Sequence, residues 1–399
     1  MNRKKVIYKN CIATVVALIL GLSLSACSLD DLNGNKLRQS YYDALGDMTV
    51  GKAVVVESQS SDRYAYQQLD DETKTVYDQM YETIINHTEA VTVSTMDMDV
   101  IDRAYKGIFA DYGNIFWISG YQVNTYYSGD TPIRLEICPK YTFTPEDTAE
   151  LSTQIERVMD EWLAGLDEIT PVDGEEITDY DKAEYVFTKL IDTVEYDVDS
   201  ENNQNVISVF LNKKTVCQGY ADAIWCMLDR LGIECTIVTG TANGEPHAWN
   251  LVYLDGAYYY MDATWGNSRY LNVDDGVTKR VNYAYMAMTS EEMSATHSLD
   301  VPFNMPECVS NGDNYFIKHN RYFDIWNSAP IGNAIGESYD SGEQYCSLKF
   351  ANSNLYNQTK EYFIDEHHIK DWCYGIDKVT YLEETDVNVL TFKWKNDEL

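Results

Sequence analysis

At 399 residues the chain has room for two or three domains. Its 64 acidic side chains outnumber 30 basic ones, for a formal charge of −34. That balance excludes nucleic-acid binding, which needs a basic face. It permits a cationic substrate without requiring one, and it repels anionic lipid and wall polymers.

Arg3, Lys4, Lys5 and Lys9 open the chain, and an apolar run from Cys11 to Leu24 comes next. This is the plan of an export signal, too short to read as a spanning helix. Its end, Leu24-Ser-Ala-Cys27, resembles the lipobox of bacterial lipoproteins. The resemblance implies cleavage before Cys27 and a lipid on that cysteine, holding the protein at the cell surface outside the cytoplasm. A plain secretory signal is the alternative. Loss of residues 1–26 removes four basic side chains and no acidic one, which takes the charge from −34 to −38. Residues 27–60, with Asn33-Gly-Asn35 and Gly51, read as a tether.

A globular pattern starts near residue 61. Leu69–His87 reads as a helix opened by Asp70 or Asp71, with Val76, Met80 and Ile84 on its apolar side. Val91–Ser94 reads as a short strand, Val100–Tyr112 as a helix, and Phe116–Tyr127 with Ile133–Phe143 as paired strands. Pro145–Leu166 carries Leu151, Ile155, Val158, Trp162 and Leu166 on one helical stripe. Residues 61–167 thus form an N-terminal α+β unit, either separate or packed on the next domain. A linker at 165–179, with Pro171 and Gly174, leads to helices at Tyr180–Val194 and Asn205–Leu211.

The informative stretch begins at Cys217. Ala221, Ile224, Trp225, Leu228 and Leu231 make a one-sided helical stripe that stops at Arg230 and Gly232. Cys217 falls at or just before the first turn, where unpaired amides and the helix dipole favour a thiolate. Glu234–Thr239 alternates as a strand. His247–Leu254 and Ala257–Trp265 are the next two strands, joined by the hairpin signal Asp255-Gly256. Pairing Leu254 with Ala257 sets Trp249 opposite Asp262 and makes His247 and Asp262 diagonal neighbours on one face. Thiol, imidazole and carboxylate are then nucleophile, base and orienter.

Cys217-Gln-Gly-Tyr-Ala221, His247-Ala-Trp-Asn250 and Asp262-Ala-Thr-Trp265 stand in order, 30 and 15 residues apart. They resemble the signatures C-x-G-[YF]-[AS], H-A-W-N and D-x-T-W of the transglutaminase-like branch of papain-like cysteine enzymes. The run from Tyr283 to His297, Phe116-Trp117 and Tyr141–Pro145 resemble segments that flank the core in bacterial extracytoplasmic members. The resemblance implies Cys217 as nucleophile, His247 as general base and acid, and Asp262 as its orienting partner. Papain-like enzymes hold the oxyanion with the nucleophile's N–H and a further donor; Gln204 is a candidate donor or else a loop glutamine. Tyr220, Trp249 and Trp265 line a substrate groove or pack the core. His297 is a structural residue or one that stands behind the core's reacting groups.

Beyond His297, residues 312–399 read as a small α+β domain without recognisable chemistry, placed to shape the groove or bind a partner. Within it Tyr315–Asp324 reads as a strand pair, Ile325–Tyr339 as a glycine-broken helix and Gln344–Ala351 as a strand. Lys360–Asp371 reads as a helix, and Thr380–Leu382 with Val387–Trp394 as strands. His367-His368 are adjacent on that helix and do not face one site. No CxxC or HExxH spacing marks a metal site. Apart from Cys11 and Cys27, seven cysteines remain, an odd number that leaves at least one free thiol.

The expectation is an α+β protein: a papain-like transglutaminase core at 175–300, in which the cysteine helix packs on an antiparallel sheet, flanked by the two smaller units. It is expected to be a thiol acyl-transfer enzyme needing no cofactor. Its partners are a protein or peptide substrate at the cell surface and the membrane through the N-terminal lipid, with no nucleic acid. Hydrolysis of a peptide or glutamine amide is favoured over cross-linking. The alternative is a catalytically silent binding or scaffolding lipoprotein.

Overall fold

The computed structural model describes residues 53, 55–174, 176–267, 280–376 and 378–395. The expected export signal and lipid-bearing Cys27 lie outside the described residues. Contacts divide the chain into two compact units, one made of Met1–Thr153 with Val301–Asn304, the other of Gln154–Asp300 with Met305–Leu399. No helix among the described residues is long and apolar enough to cross a membrane.

In the first unit, β1 (Val91–Thr92), β2 (Ile118–Ser128) and β3 (Thr131–Tyr141) form an antiparallel sheet in the order β1-β3-β2. Helices Asp71–Ile85 and Met98–Asp111 accompany it. The Asp70 carboxylate accepts the Thr73 N–H at 2.8 Å and starts the first of them, as the sequence reads.

In the second unit, helix Asp179–Thr193 is started by a Thr178/Asp181 capping box. A parallel bridge joins β4 (Glu195–Tyr196) to β5 (Lys214–Thr215), just before helix Cys217–Arg230. That helix packs on an antiparallel sheet in the order β8-β7-β6-β9. Its strands are β6 (Cys235–Ala242), β7 (Glu245–Leu254), β8 (Ala257–Met261) and β9 (His297–Leu299). The hairpin register is the expected one: Leu254 pairs with Ala257 and Asn250 with Met261. The strand ends there, however, because the Asp262 side chain caps the short helix Ala263–Gly266. A carboxylate that accepts two following backbone N–H groups turns the chain out of the sheet.

A second four-stranded sheet contains β10 (Tyr322–Phe323), β11 (Tyr345–Phe350), β12 (Lys378–Glu384) and β13 (Val389–Lys395), in the order β10-β11-β13-β12. Ile331, Ile335, Leu348, Phe363, Leu390 and Phe392 make its core. Arg280, 2% exposed, ties this sheet to the segment beyond the site. Its guanidinium reaches Glu384 at 3.0 Å and Thr391 Oγ1 at 3.1 Å.

Four further elements depart from the sequence reading. Tyr315–Lys318 is helical rather than a strand, because Asn314 caps it through the Phe316 N–H. The helix at Ser328–Asp340 is unbroken, and its glycines are there for packing: a Cβ on Gly332 would sit 2.1 Å from the Trp372 ring. The predicted 360–371 helix is instead the end of Ser353–Lys360, a wide turn at Glu361–Asp365 and a 3₁₀ turn at His368–Asp371. His367 at φ 64° separates the last two. Ser208–Asn212, predicted as ordinary helix, is a π-helical turn ended by Lys213 at φ 58°.

Candidate active site

Cys217 is the first residue of its helix and 7% exposed. Its N-cap, Val216, offers no side-chain cap, and the first turn carries no acidic residue. The leading amides are therefore left to whatever lies at the helix end, which favours negative charge at the sulfur or on a substrate oxygen. Gly219 permits the close packing of this turn, since a Cβ there would lie 1.9 Å from Thr215 Oγ1. One turn on, burial pushes the Asp222 carboxyl well above the usual carboxylate range. Its neutral form adds no charge to oppose a thiolate.

β7 carries His247 and β8 leads into Asp262, both fully buried. His247 Nε2 donates to Asp262 Oδ2 at 2.8 Å, and Cys217 lies close enough to the ring to act on its charge. Burial alone would lower the pKa of His247; the Asp262 carboxylate and Cys217 overcome it and push the imidazole up to about 10. Burial likewise opposes the charge on Asp262, but His247 and then His297 hold its carboxyl well below the usual range. Asn250 closes the assembly by donating to the Ala221 carbonyl at 3.0 Å, pinning the hairpin to the cysteine helix.

The other predicted residues separate. Trp249 stacks on His247 with ring centroids 5.9 Å apart and is 1% exposed; Trp265 lies 6.4 Å from the same ring. Both wall the imidazole. Tyr220 is a core residue rather than a groove wall: its hydroxyl donates to the Val194 carbonyl at 2.9 Å and accepts from Asn267. Gln204 comes after Asn203, whose carbonyl accepts the Val216 N–H at 3.3 Å, and this sets the segment beside the cysteine turn. The Gln204 Oε1 is buried without a hydrogen-bond partner.

His297 is placed at the site itself. Its Nε2 donates to Asp262 Oδ2 at 3.1 Å, on the oxygen His247 uses. It stands 35 residues past Asp262, beyond any local periodicity, and only the pairing of β9 with β6 brings it in. Gly240 allows that pairing, because a Cβ there would meet the Ser298 carbonyl at 1.9 Å and Trp249 at 2.8 Å. Gly240→Ala is therefore expected to cost about 1–3 kcal/mol through overpacking and to be read as a lower melting temperature. Among the described residues, His247, Asp262 and His297 are close enough to share a metal ion, within 4.8 Å of one another. Both imidazoles there already sit at hydrogen-bond distance from one carboxylate oxygen. The seven described cysteines are all free and buried.

A cysteine at a helix N-terminus, facing an imidazole and carboxylate presented by an antiparallel sheet, is the layout of papain-like cysteine enzymes. Residues 169–263 match the family model of the Transglutaminase-like superfamily, a span that holds Cys217, His247 and Asp262. The kyphoscoliosis peptidases of Homo sapiens and Mus musculus are each 26% identical over 140 residues, 31% of this chain and 21% of theirs. The chain thus spans about a fifth of the length of these curated relatives. A solved structure described as a TGase aligns over 49% of this chain and 48% of its own at 12% identity, with a TM-score of 0.26. Residues 169–263 are thus a transglutaminase-like domain, and the fold is α+β of the papain-like kind.

Proposed function

We propose that the protein is a thiol acyl-transfer enzyme acting on a peptide or glutamine side-chain amide. The observation that carries this is the position of His247, hydrogen-bonded to the buried Asp262 and close enough to the helix-start Cys217 that both favour its protonated form. The Cys217 thiolate attacks the amide carbonyl, and the oxyanion meets the leading amides of the helix. Gln204 is the candidate for a further donor. The proton on His247 goes to the leaving amine and a thioester remains. His247, now neutral, takes a proton from the incoming nucleophile, and Asp262 holds the ring in the tautomer this requires.

Hydrolysis is the favoured direction. Water is always present, and the similar curated proteins are named peptidases. The test offers glutamine-containing peptides with and without a labelled primary amine. Released ammonia or peptide fragments without amine incorporation support hydrolysis, and stoichiometric incorporation overturns it.

The N-terminal sequence supports a membrane-surface location for this activity, through lipid on Cys27 that holds a strongly acidic body above the headgroups. Cys27→Ala is expected to move the protein from the membrane fraction to the soluble exported fraction. An unchanged membrane share would remove the lipid anchor from this reading.

A further inference from the structure

Two imidazoles share one oxygen of Asp262, and acyl transfer uses only one of them. His297 is buried, its side chain 0% exposed. Burying an imidazole needs compensation. His297 has it at both nitrogens: Nδ1 pairs with Thr296 Oγ1 at 2.8 Å and Nε2 with Asp262 Oδ2 at 3.1 Å. The first bond fixes which nitrogen faces the carboxylate. Ring contacts with Trp249 at 5.0 Å and Trp265 at 4.9 Å fix the plane.

Asp262 is saturated as a result. Oδ1 accepts the Thr264 and Trp265 backbone N–H groups at 2.9 and 3.1 Å, and Oδ2 accepts both imidazoles. An ionised carboxylate has about four acceptor positions, and all four are taken. The carboxylate cannot turn about its own bond without breaking a contact, so Oδ2 stays aimed at His247. Four donors also make it a weaker base, so the shared proton remains on His247, where the leaving amine needs it. An apolar side chain could fill the volume of His297, but it could not donate.

We infer that His297 is a positioning residue for the acyl-transfer reaction, locking the Asp262 carboxylate in the orientation that serves His247. This rests on the acyl-transfer reading above. The groups that face Asp262 are His247, His297 and, more weakly, Tyr285; Cys217 faces His247.

The test tracks iodoacetamide alkylation of Cys217 against pH by peptide mass spectrometry in wild type, His297→Leu, His297→Gln and His247→Ala. A cavity of about 290 Å³ borders His297 and Trp249, so a side chain of different shape at 297 meets open space on one side. His297→Leu is expected to lower the rate at pH 6 by about 10- to 100-fold, the size of one hydrogen bond to a charged group. His297→Gln, which keeps a donor, should recover most of it. A folded leucine variant with the wild-type profile overturns the proposal. If the leucine variant does not fold, the glutamine variant decides: a near-wild-type profile supports the donor role, and one displaced as far as His247→Ala overturns it. Wild-type Cys217 that labels only in the free-thiol range, unchanged in His247→Ala, sinks the acyl-transfer reading and this inference with it.

Discussion

Replacing His247 with alanine is expected to slow Cys217 alkylation at pH 6 by roughly 300-fold. A free thiol of pKa ~8.5 is only about 0.3% thiolate at that pH, whereas a thiol paired with an imidazolium is almost wholly ionised. His247 is held protonated up to about pH 10 by Asp262 and Cys217, so the pair persists across the neutral range. Turnover should fall much further, on the order of 10⁶-fold, because the acid, the base and the thiolate's counter-charge disappear together. Cys217→Ala should be equally inert while keeping its melting temperature within a few degrees, since the side chain is small and lies at a helix end. An alkylation profile unchanged in His247→Ala would remove the pair from the account.

Asp262→Ala is expected to do a second kind of damage. Asp262 is fully buried, caps Ala263–Gly266 and accepts from two buried imidazoles. Its loss leaves both without their acceptor, a change that costs about 3–5 kcal/mol when one partner of a buried pair is removed. The effect should depend on pH in a stated direction. The folded-state pKa of His247 is raised from 6.5 to about 10, so its contribution is complete below pH 6.5 and lost as pH rises toward 10. That of Asp262 is lowered from 3.8, so its contribution is complete above that value and lost as pH falls through the depressed one. Wild-type stability from this pair is therefore greatest between about pH 4 and 6.5 and declines on both sides. Thermal melts from pH 4 to 10 should show that slope in wild type and a flatter curve in Asp262→Ala. Parallel curves would show that the carboxylate is not the partner of the charge.

The grouping of Cys217, His247 and Asp262 was legible in the sequence because the pieces that carry them are local. A one-sided apolar stripe puts Cys217 at a helix start, and Asp255-Gly256 sets a hairpin register in which Leu254 meets Ala257. β7 and β8 then bring His247 beside Asp262, which stands one residue past the end of β8. Capping is equally local, which is why the helix at Asp71–Ile85 opens where Asp70 predicts. Local pattern failed where a long-range neighbour decides. The glycines at 332 and 336 read as helix breakers until Trp372 is seen lying against them. Tyr220 reads equally as groove or core, and the bond from its hydroxyl to the Val194 carbonyl decides for core.

His297 is the clearest case. Its chemistry is visible in the sequence, but its place depends on β9 pairing with β6 across the space that Gly240 leaves open. The sequence by itself determined which groups stand at the candidate site, because helix and hairpin patterns act over a few residues. Only the tertiary structure decided what holds them, because the second imidazole on Asp262 arrives from a strand whose register no local pattern sets.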